Sequence, residues 1–299
     1  MRLCKRGKVK EVYEVGDDEL EFLFTDQVSV FDKIVPTRIP FKGETLCRTA
    51  AYWFKEAERL GVRTHFLHLS APNRMRVRRV KVPEMGEALS PAAGGYLIPL
   101  EVIARYYVAG SLHDRLRSGV LSPRILGFRA LPPYGARLPE PFIETTTKLE
   151  KVDRLLSEEE AMRLAGLTRE DLRQIREVVL EIDRMIASRV RARGLMHVDG
   201  KKEFGFDAER NLILVDTFGT ADEDRFWDLE RYEAGECVEV SKERVRAHYR
   251  STGYYDALRA ARERGKAEPA ILPLPDEMVR EVSELYVSLF ERITGEQFR

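Results

Sequence analysis

The chain has 299 residues, of which 43% are hydrophobic and 33% are charged; this is enough apolar material for one large core or two modest ones, and it excludes a wholly disordered chain. Lysine and arginine together number 50, as do aspartate and glutamate, so the formal net charge is zero. No whole-molecule attraction to nucleic acid or to an acidic membrane is therefore implied, and any anion site must be a local concentration of charge.

The first third of the sequence is typical of β-structure. The sequence GDD at residues 16–18 lies between two strand-like runs and predicts a hairpin turn. A helix is predicted over residues 44–60, because its apolar residues recur at helical spacing and Gly61 follows as a stop signal. Residues 83–95 are rich in proline, glycine and alanine and predict a loop. The predicted strands of this part are residues 9–15, 20–25, 65–69 and 75–82.

The rest of the chain mixes helices with further strands. Five prolines in residues 119–147 predict an irregular segment with room for one or two short strands. Ser157 opens a short helix through a capping box, and Thr168 opens a longer helix that ends at Gly194. The C-terminal part is mostly helical and ends in an amphipathic stretch over residues 276–293. The predicted strands here are residues 97–108, 196–206 and 212–217, and this order of elements favours α+β layers over a regular βαβ array.

The sequence also bears on compartment and partners. It contains no apolar run of about 18 residues, and its first residues, MRLCKRGKVKEVYEV, lack the apolar stretch and cleavage site of a secretory signal. Cys4, Cys47 and Cys237 lie far apart, which favours ordinary thiols over disulfides or a zinc site. The arginine-rich residues 74–79 lack interleaved aromatic residues, which favours a solvated strand over an RNA-binding surface. We therefore expect a cytoplasmic protein.

The first candidate site is RGKVK at residues 6–10. Gly7 allows the backbone to approach a ligand closely, and N–H groups beside it can hold phosphate oxygens. Lys8 and Lys10 are predicted to share one face of a strand, because strand side chains alternate, and so to form an anion cradle. The alternative is a solvated basic strand end, and this segment taken alone favours that alternative.

The most informative segment is VDGKKEFG at residues 198–205. On a strand Asp199, Lys201 and Glu203 point the same way, and closure of the hairpin places Glu203 roughly opposite Asp216. Two carboxylates that close repel each other unless a cation lies between them, and hard oxygen ligands suit a Mg²⁺ ion that also binds substrate phosphates. The alternative is a solvent-exposed face on which Lys201 neutralises both acids.

Further charged and polar residues are candidates for holding an anion. Arg105 lies in a predicted buried strand, and Ser111 follows it, where the hydroxyl serves either an anion or a helix N-cap. Arg225 stands beside three acids, so the alternative is a salt-bridged surface turn. Lys242 and Arg246 share one helix face at i, i+4 spacing, and an ordinary surface pair of cations is again the alternative.

These segments occur together in one known family. The sequence resembles the SAICAR synthetases, the phosphoribosylaminoimidazole-succinocarboxamide synthases of purine biosynthesis, over nearly its whole length. The likeness rests on RGKVKEVYEV, TDQVSVFDKIVPTRIPFKGETL, IPLEVIARYYVAGS and VDGKKEFG. It implies an ATP-grasp-like α+β fold of antiparallel sheets with packed helices. A central nucleotide cleft is implied between an N-terminal nucleotide-binding portion, residues 1–100, and a C-terminal portion, residues 101–299, that completes the ATP and substrate site.

The resemblance implies an ATP-dependent carbon–nitrogen ligase. Its substrates are ATP, L-aspartate and the carboxylated aminoimidazole ribonucleotide CAIR, and its products are SAICAR, ADP and phosphate. An acyl phosphate is the implied intermediate and Mg²⁺ the implied metal ion. The implied partners are these small molecules, with no nucleic acid and no membrane, and a homo-oligomer is allowed.

The resemblance also assigns roles to residues that match the family's motifs. The catalytic positions are Lys10, Lys148, Lys201 and Asp199. The positions for the nucleotide are Gly7, Lys8, Lys10 and Arg78, the last in a strand whose backbone binds adenine, together with Glu203 and Asp216, which also hold the metal ion. The positions for the other substrates are Asp32, Arg105, Ser111, Arg225, Lys242 and Arg246.

The sequence departs from the family's pattern in several places. The departures are Thr217 for glutamate, Ala221 for proline, Val152 for histidine, Lys202 for an apolar or aromatic residue, and a long insertion at residues 83–95. They concern the metal shell and the aspartate pocket and leave the ATP and CAIR positions intact. We interpret the chain as a divergent branch with the same activity.

Two other functions fit the same residues. A small-molecule kinase would use the same acids and stop at phosphoryl transfer, so it would consume ATP without aspartate. A nucleotide-binding regulatory protein without turnover would need neither. The joint presence of Lys8, Lys10, Glu203 and Asp216 argues against the regulatory protein, because loss of function would leave any of them free to change.

Overall fold

The computed structural model describes residues 1–150, 152–240 and 242–299. Helices and antiparallel sheets are both present, so the α+β class predicted from the sequence is confirmed. None of the helices in these residues combines the length and the apolar character that crossing a bilayer requires.

The elements follow one another in a mixed order along the described residues. The strands are β1 (Arg2–Arg6), β2 (Lys10–Glu14), β3 (Glu19–Phe24), β4 (Gln27–Val30), β5 (Lys33–Arg38), β6 (Phe66–Ala71), β7 (Arg74–Arg78), β8 (Leu97–Tyr107), β9 (Arg137–Thr147), β10 (Leu155–Leu156), β11 (Leu195–Phe206), β12 (Leu212–Val215) and β13 (Asp224–Asp228). The helices are α1 (Lys42–Arg59), α2 (Gly110–Arg117), α3 (Glu158–Ala165), α4 (Arg169–Arg191), α5 (Leu229–Glu233), α6 (Glu243–Ser251), α7 (Tyr254–Glu263) and α8 (Asp276–Thr294).

The chain divides into two compact units. The first consists of Met1–Tyr52, Phe66–Arg78 and Glu239–Arg299. The second consists of Trp53–His65 and Arg79–Val238. The assignment of nucleotide binding to residues 1–100 and of the remaining functions to residues 101–299 stays a prediction.

The first unit contains a five-stranded antiparallel sheet in the order β1-β2-β3-β7-β6. Strands β2 and β3 form the predicted hairpin around residues 16–18. The prediction of a strand to residue 82 was too long, because β7 ends at Arg78, which pairs with Glu19, the first residue of β3. Beyond that point β7 has no partner residue on β3. Short strands β1, β4 and β5 were not predicted from the sequence.

The second unit contains a six-stranded sheet in the order β10-β9-β8-β11-β12, with β13 also paired to β11. Every pairing is antiparallel. The predicted buried strand at residues 97–108 is confirmed as β8, and the predicted hairpin is confirmed as β11 and β12. Strand β11 is central, since it pairs with β8, β12 and β13.

Strand β9 contradicts the prediction of an irregular segment, because it runs for 11 residues. Its two prolines, Pro139 and Pro141, fall where the register with β8 shifts between the pairs Tyr107–Arg137 and Arg105–Phe142. Proline has no N–H group to donate, so it is tolerated at such an irregularity. The prolines therefore mark an interruption within a strand rather than the absence of one.

Helix α4 packs against the central strand of this sheet. Its buried residues recur at the spacing of one helix face, and they include Ile175, Val179, Ile182 and Ile186. The helix opens with the predicted capping box, in which Thr168 Oγ accepts from the N–H of Asp171 at 3.1 Å and Asp171 accepts from the N–H of Thr168 at 2.7 Å. The box fixes the start of the helix that supports the sheet.

Asp171 also forms an ion pair with Arg210, whose two terminal nitrogens donate to its carboxylate oxygens at 2.9 and 3.0 Å. Burial alone would raise the pKa of Asp171, but the hydrogen bonds from Arg210 and Thr168 outweigh burial and lower the pKa of this carboxyl. The carboxylate thus connects the first turn of α4 to the β11–β12 hairpin.

The Asp171→Asn variant tests this contact. We expect the free energy of unfolding to fall by about 1–3 kcal/mol at pH 7, since hydrogen bonds to a charged group are lost. A carboxyl with a lowered folded-state pKa stabilises above its unfolded pKa, and this contribution disappears as the pH falls through the folded pKa. Urea denaturation at pH 7 and pH 3 should therefore show the gap between wild type and variant closing in acid.

The matched control is Glu170→Gln, which changes an exposed carboxylate in the same first helical turn. Its effect should stay within about 0.5 kcal/mol at both pH values. A gap for Asp171→Asn that is the same size at pH 3 and pH 7 would contradict the role of the charge.

Candidate functional site

The centre of the candidate site is Lys201, on one face of β11. Its ammonium group donates to Glu101 Oε1 and Glu203 Oε1, both at 2.8 Å, and lies 3.2 Å from Glu223 Oε2. Glu101 lies opposite Glu203 in the register of β8 and β11. Three carboxylates therefore meet at one ammonium group, as the alternation of strand side chains predicts for Lys201 and Glu203.

Lys148 connects the same cluster to Asp216. It directly follows β9, and its ammonium group contacts Glu203 Oε2 closely and lies 3.8 Å from Asp216 Oδ2. The predicted pairing of Glu203 with Asp216 is one residue off, since Glu203 pairs with Val215, the last residue of β12. Asp216 follows with a φ of 58°, in the left-handed region. The two acids are nevertheless brought together, through a shared ammonium group.

Both lysines remain charged despite burial. Burial favours the neutral amine, but Glu203 and Asp216 outweigh it and raise the pKa of Lys148. The carboxylates around Lys201 likewise raise its pKa well above the ordinary value. Burial, opposed in part by Lys201, raises the pKa of Glu101.

The alternative interpretation of this hairpin, a solvent face neutralised by Lys201, is therefore half right. Lys201 does neutralise Glu203, but Glu203 is 1% exposed, so the face is buried. A buried carboxylate needs such partners, because an unpaired one is costly in free energy.

A second group of charges lies on the same sheet, around Arg105. Its side chain donates to Glu144 Oε2 at 2.8 Å and to Ser111 Oγ at 3.1 Å, and it lies 3.5 Å from Asp199 Oδ2. Ser111 is the second residue of α2, and the N-cap is Ala109, so the interpretation of Ser111 as a helix N-cap was wrong. Its hydroxyl faces a guanidinium group instead.

Arg225 completes this second group. It lies in β13 opposite Asp199, with its Nε 3.4 Å from Asp199 Oδ1, so the alternative of a surface turn was wrong. A Cβ atom on Gly110 would lie 2.5 Å from Arg225 Nη2, which shows how closely the start of α2 approaches this side chain. Asp199 thus lies between Arg105 and Arg225.

Several residues of these two groups were missed by sequence analysis. They are Glu101, Arg115, Tyr134, Glu144 and Glu223. Arg115 lies four residues after Ser111 on α2, a spacing that places both on one helix face and was available from the sequence. Glu101 and Glu144 needed strand register, which the sequence does not state.

In the first unit, Gly7 and Lys8 lie in the turn between β1 and β2. The N–H of Gly7 donates to Lys10 O at 2.8 Å, and a Cβ atom on Gly7 would lie 2.9 Å from the same oxygen. Lys8 forms an exposed ion pair with Asp32 at 2.6 Å. The prediction that Lys8 and Lys10 share a strand face was wrong, because β2 begins only at Lys10.

The other predicted residues of the first unit are apart from this turn in sequence. Arg78 ends β7, and it is exposed. Lys242 directly precedes α6, and its carbonyl accepts from the N–H of Arg246 at 3.1 Å, so the predicted i, i+4 spacing is confirmed. Arg246 also lies 3.7 Å from Glu239 Oε1.

The arrangement in the second unit has a clear chemical character. Ammonium and guanidinium groups converge with carboxylates on one face of a sheet, and the carboxylates are positioned by short polar contacts. Such preorganised charges are typical of enzymes that act on phosphorylated or carboxylated substrates. The fold and the site together define an α+β protein of this class.

Comparison with known proteins narrows the class. The family model described as SAICAR synthetase matches residues 3–261. The chain is 53% identical to a phosphoribosylaminoimidazole-succinocarboxamide synthase of Thermoplasma acidophilum over 298 residues, covering 100% of both chains.

Two solved structures are also similar. A SAICAR synthetase in complex with ADP is 26% identical, with a TM-score of 0.72 over 99% of both chains. A SAICAR synthase of Saccharomyces cerevisiae in complex with SAICAR is 25% identical, with a TM-score of 0.77 over 99% of this chain and 95% of that one. The chain belongs to the SAICAR synthetase family.

Glu144 offers a direct test of the arginine group. Its carboxylate bridges Arg105 at 2.8 Å and Arg115 at 2.6 Å, and its side chain is 6% exposed. The Glu144→Gln variant leaves two guanidinium groups without their carboxylate, so we expect a loss of about 3 kcal/mol in the free energy of unfolding by urea.

The control is Glu140→Gln, at an exposed position of the same strand. It should change the free energy of unfolding by less than about 0.5 kcal/mol. If the two variants are equally stable, the bridge contributes nothing and the interpretation is wrong.

Proposed function

We propose that this protein joins L-aspartate to CAIR at the expense of ATP, giving SAICAR, ADP and phosphate in purine biosynthesis, and that it does so in the cytoplasm. The observation that carries the proposal is a family match from residue 3 to residue 261 that includes the Lys201 cluster. The names of the relatives, and the ADP and SAICAR in two similar structures, support the same substrates.

The chemistry explains why ATP is needed. A carboxylate does not react with an amine until one of its oxygens becomes a leaving group. Transfer of the γ-phosphoryl group from ATP to the CAIR carboxylate releases ADP and forms an acyl phosphate. The aspartate amine then attacks the acyl carbon, the C–O bond to phosphate breaks, and the amine loses a proton as the amide forms. Positioning and charge neutralisation carry most of this catalysis.

We assign CAIR to the arginine group of the second unit. Arg105, Ser111 and Arg225 offer guanidinium and hydroxyl donors, and Asp199 holds the two arginines in place at 3.4–3.5 Å. Such donors suit a phosphate or carboxylate group. The further residues proposed for the other substrates are Asp32, Lys242 and Arg246 in the first unit.

We assign ATP to the basic turn of the first unit and to lysines of the second. Gly7, Lys8 and Lys10 would contact its phosphates, since a glycine turn flanked by lysines offers N–H groups and positive charge. The backbone near Arg78 would contact adenine. Lys148 and Lys201, both kept charged by carboxylates, would neutralise the anionic groups that react.

The carboxylates of Glu203 and Asp216 fit a Mg²⁺ ion. Both are hard oxygen donors, both contact the ammonium group of Lys148, and Glu203 is buried. This is the donor chemistry that Mg²⁺ prefers. When bound, the ion would supply positive charge against the phosphate oxygens of ATP. The chain's own contribution is to hold the two acids together and to keep Lys148 beside them.

The replacement of the usual glutamate by Thr217 does not remove polar atoms from this place. The Thr217 hydroxyl lies 3.5 Å from Asp216 Oδ1, and the residue is 5% exposed. The acid pair proposed for the metal is therefore intact in this chain.

Dependence on aspartate tests the reaction. With CAIR and MgATP present, omission of L-aspartate should reduce ADP release by at least tenfold, because the acyl phosphate has no amine to accept the acyl group. A coupled assay of ADP release, with SAICAR followed by its absorbance, measures this. Full ADP release without aspartate would instead establish a kinase, and no release under any condition would favour a regulatory protein.

The acid pair is tested by Glu203→Gln and Asp216→Asn. Each removes one negative charge and keeps the side-chain shape, so we expect turnover to fall by at least a hundredfold while circular dichroism stays that of the wild type. The matched control is Glu209→Gln, an exposed acid in the turn of the same hairpin. Near-normal activity of either site variant would contradict the metal assignment.

A further inference from the structure

A second cluster of ionisable groups lies in the second unit, on the side of β11 away from Lys201. Asp183 of α4, His197 of β11 and Asp224 of β13 offer ligand atoms that lie within 4.8 Å of one another. This spacing would suit a metal ion, but the ammonium group of Lys202 contacts Asp183 Oδ1 closely and lies 3.2 Å from Asp224 Oδ2. The cation of this cluster is therefore a side chain of the protein.

The cluster is fully enclosed. The side chains of Asp183, His197, Lys202 and Asp224 are all 0% exposed. Two carboxylates and an ammonium group without contact with water are costly in free energy unless each is hydrogen-bonded. Apolar side chains of the same size would serve a core as well. The need for stability alone does not explain the cluster.

Hydrogen bonds extend the cluster to the neighbouring strands. The hydroxyl of Tyr106, on β8, donates to Asp183 Oδ2 at 2.9 Å. Asp224 Oδ1 accepts from the N–H of Gly219 at 2.9 Å, and its Oδ2 lies 2.7 Å from His197 Nε2. One set of contacts therefore connects α4, β8, β11 and β13.

The backbone of β11 is shaped around these groups. A Cβ atom at position 200 would lie 2.1 Å from Asp224 Oδ2 and 2.7 Å from Lys202 Nζ, so glycine is required there for β13 to approach. Gly200 pairs with Asp224 across the two strands, next to the pair of Asp199 with Arg225.

Each strand residue of the cluster is a chain neighbour of a proposed site residue. Tyr106 follows Arg105, and Asp224 precedes Arg225. Lys202 stands between Lys201 and Glu203. Because strand side chains alternate, a residue held on one face fixes the direction of its neighbours on the other face. The cluster therefore holds the site strands from behind.

We propose that Lys202 is a positioning residue of the ligase site, whose buried ammonium group ties β11 to α4 and β13 through Asp183 and Asp224 and thereby fixes Arg105 and Arg225 for binding of CAIR. This inference rests on the proposed function. Lys202 touches no substrate in this scheme; it acts through the strands that carry the arginines.

The test separates stability from positioning. The double variant Lys202→Met/Asp183→Asn removes one positive and one negative charge together, and the asparagine oxygen still accepts from Tyr106. We expect its melting temperature to stay near that of the wild type, because no uncompensated buried charge is left. At a temperature at which every variant is fully folded, KM for CAIR should rise at least tenfold, while KM for ATP changes less than twofold.

Three further variants complete the experiment. Tyr106→Phe keeps all charges and removes one hydrogen bond, so it should raise KM for CAIR by about two- to fivefold; it decides the question alone if the double variant fails to fold. Arg225→Ala gives the effect of losing the side chain that is to be positioned. Arg173→Met, which breaks an exposed ion pair on the same helix as Asp183, is the control and should leave KM unchanged.

The outcomes are distinguishable. If the wild type shows aspartate-dependent ADP release and the folded double variant keeps wild-type KM for CAIR, the positioning role is overturned while the proposed function stands. The same holds if Tyr106→Phe, as the deciding variant, has no effect. If the wild type shows no such release, the proposed function fails and this inference fails with it. A selective rise in KM for CAIR supports the positioning role.

Discussion

The candidate site depends on buried carboxylates that share ammonium groups. Glu101, Glu203 and Glu223 meet at Lys201, and Glu203 also contacts Lys148. Carboxylates this close would repel one another, and burial of Glu203 makes an unpaired charge costlier still. The lysines are therefore required by the acids, and the acids in turn keep both lysines charged. Each sign of charge is available to an anionic substrate or to a metal ion only because the other is present.

Strand β11 connects this arrangement to the rest of the second unit. One face carries Asp199, Lys201 and Glu203, and Lys202 on the opposite side lies within an enclosed ionic cluster. Pairing with β8 and β13 sets the arginine group beside the lysine cluster, because Arg105 and Arg225 are both register partners of Asp199. A single strand thus orders groups that the proposed reaction uses for two substrates, and the precision of that order comes from backbone pairing rather than from long side chains.

The proposed ligation fits a site of this kind. The reaction moves a phosphoryl group and then an acyl group between bound substrates, so the protein needs to orient reactants and neutralise charge more than to form bonds of its own. Fixed ammonium and guanidinium groups held by carboxylates meet that need, since they require little rearrangement when charge develops. In such a site, residues that hold the strands in place matter for turnover although they touch no substrate.

The sequence by itself determined the family resemblance, the α+β class, the capping boxes of α3 and α4, and the shared face of Lys201 and Glu203, because these follow from local patterns and from strand alternation. It did not determine that β9 continues past Pro139 and Pro141, that Glu203 pairs with Val215, or that Glu101 and Glu144 belong to the polar groups. Those features depend on register and on contacts between residues far apart in the chain. Only the tertiary structure decides such contacts, because many registers satisfy the same alternation of apolar and polar residues, and the packed sheet selects one of them.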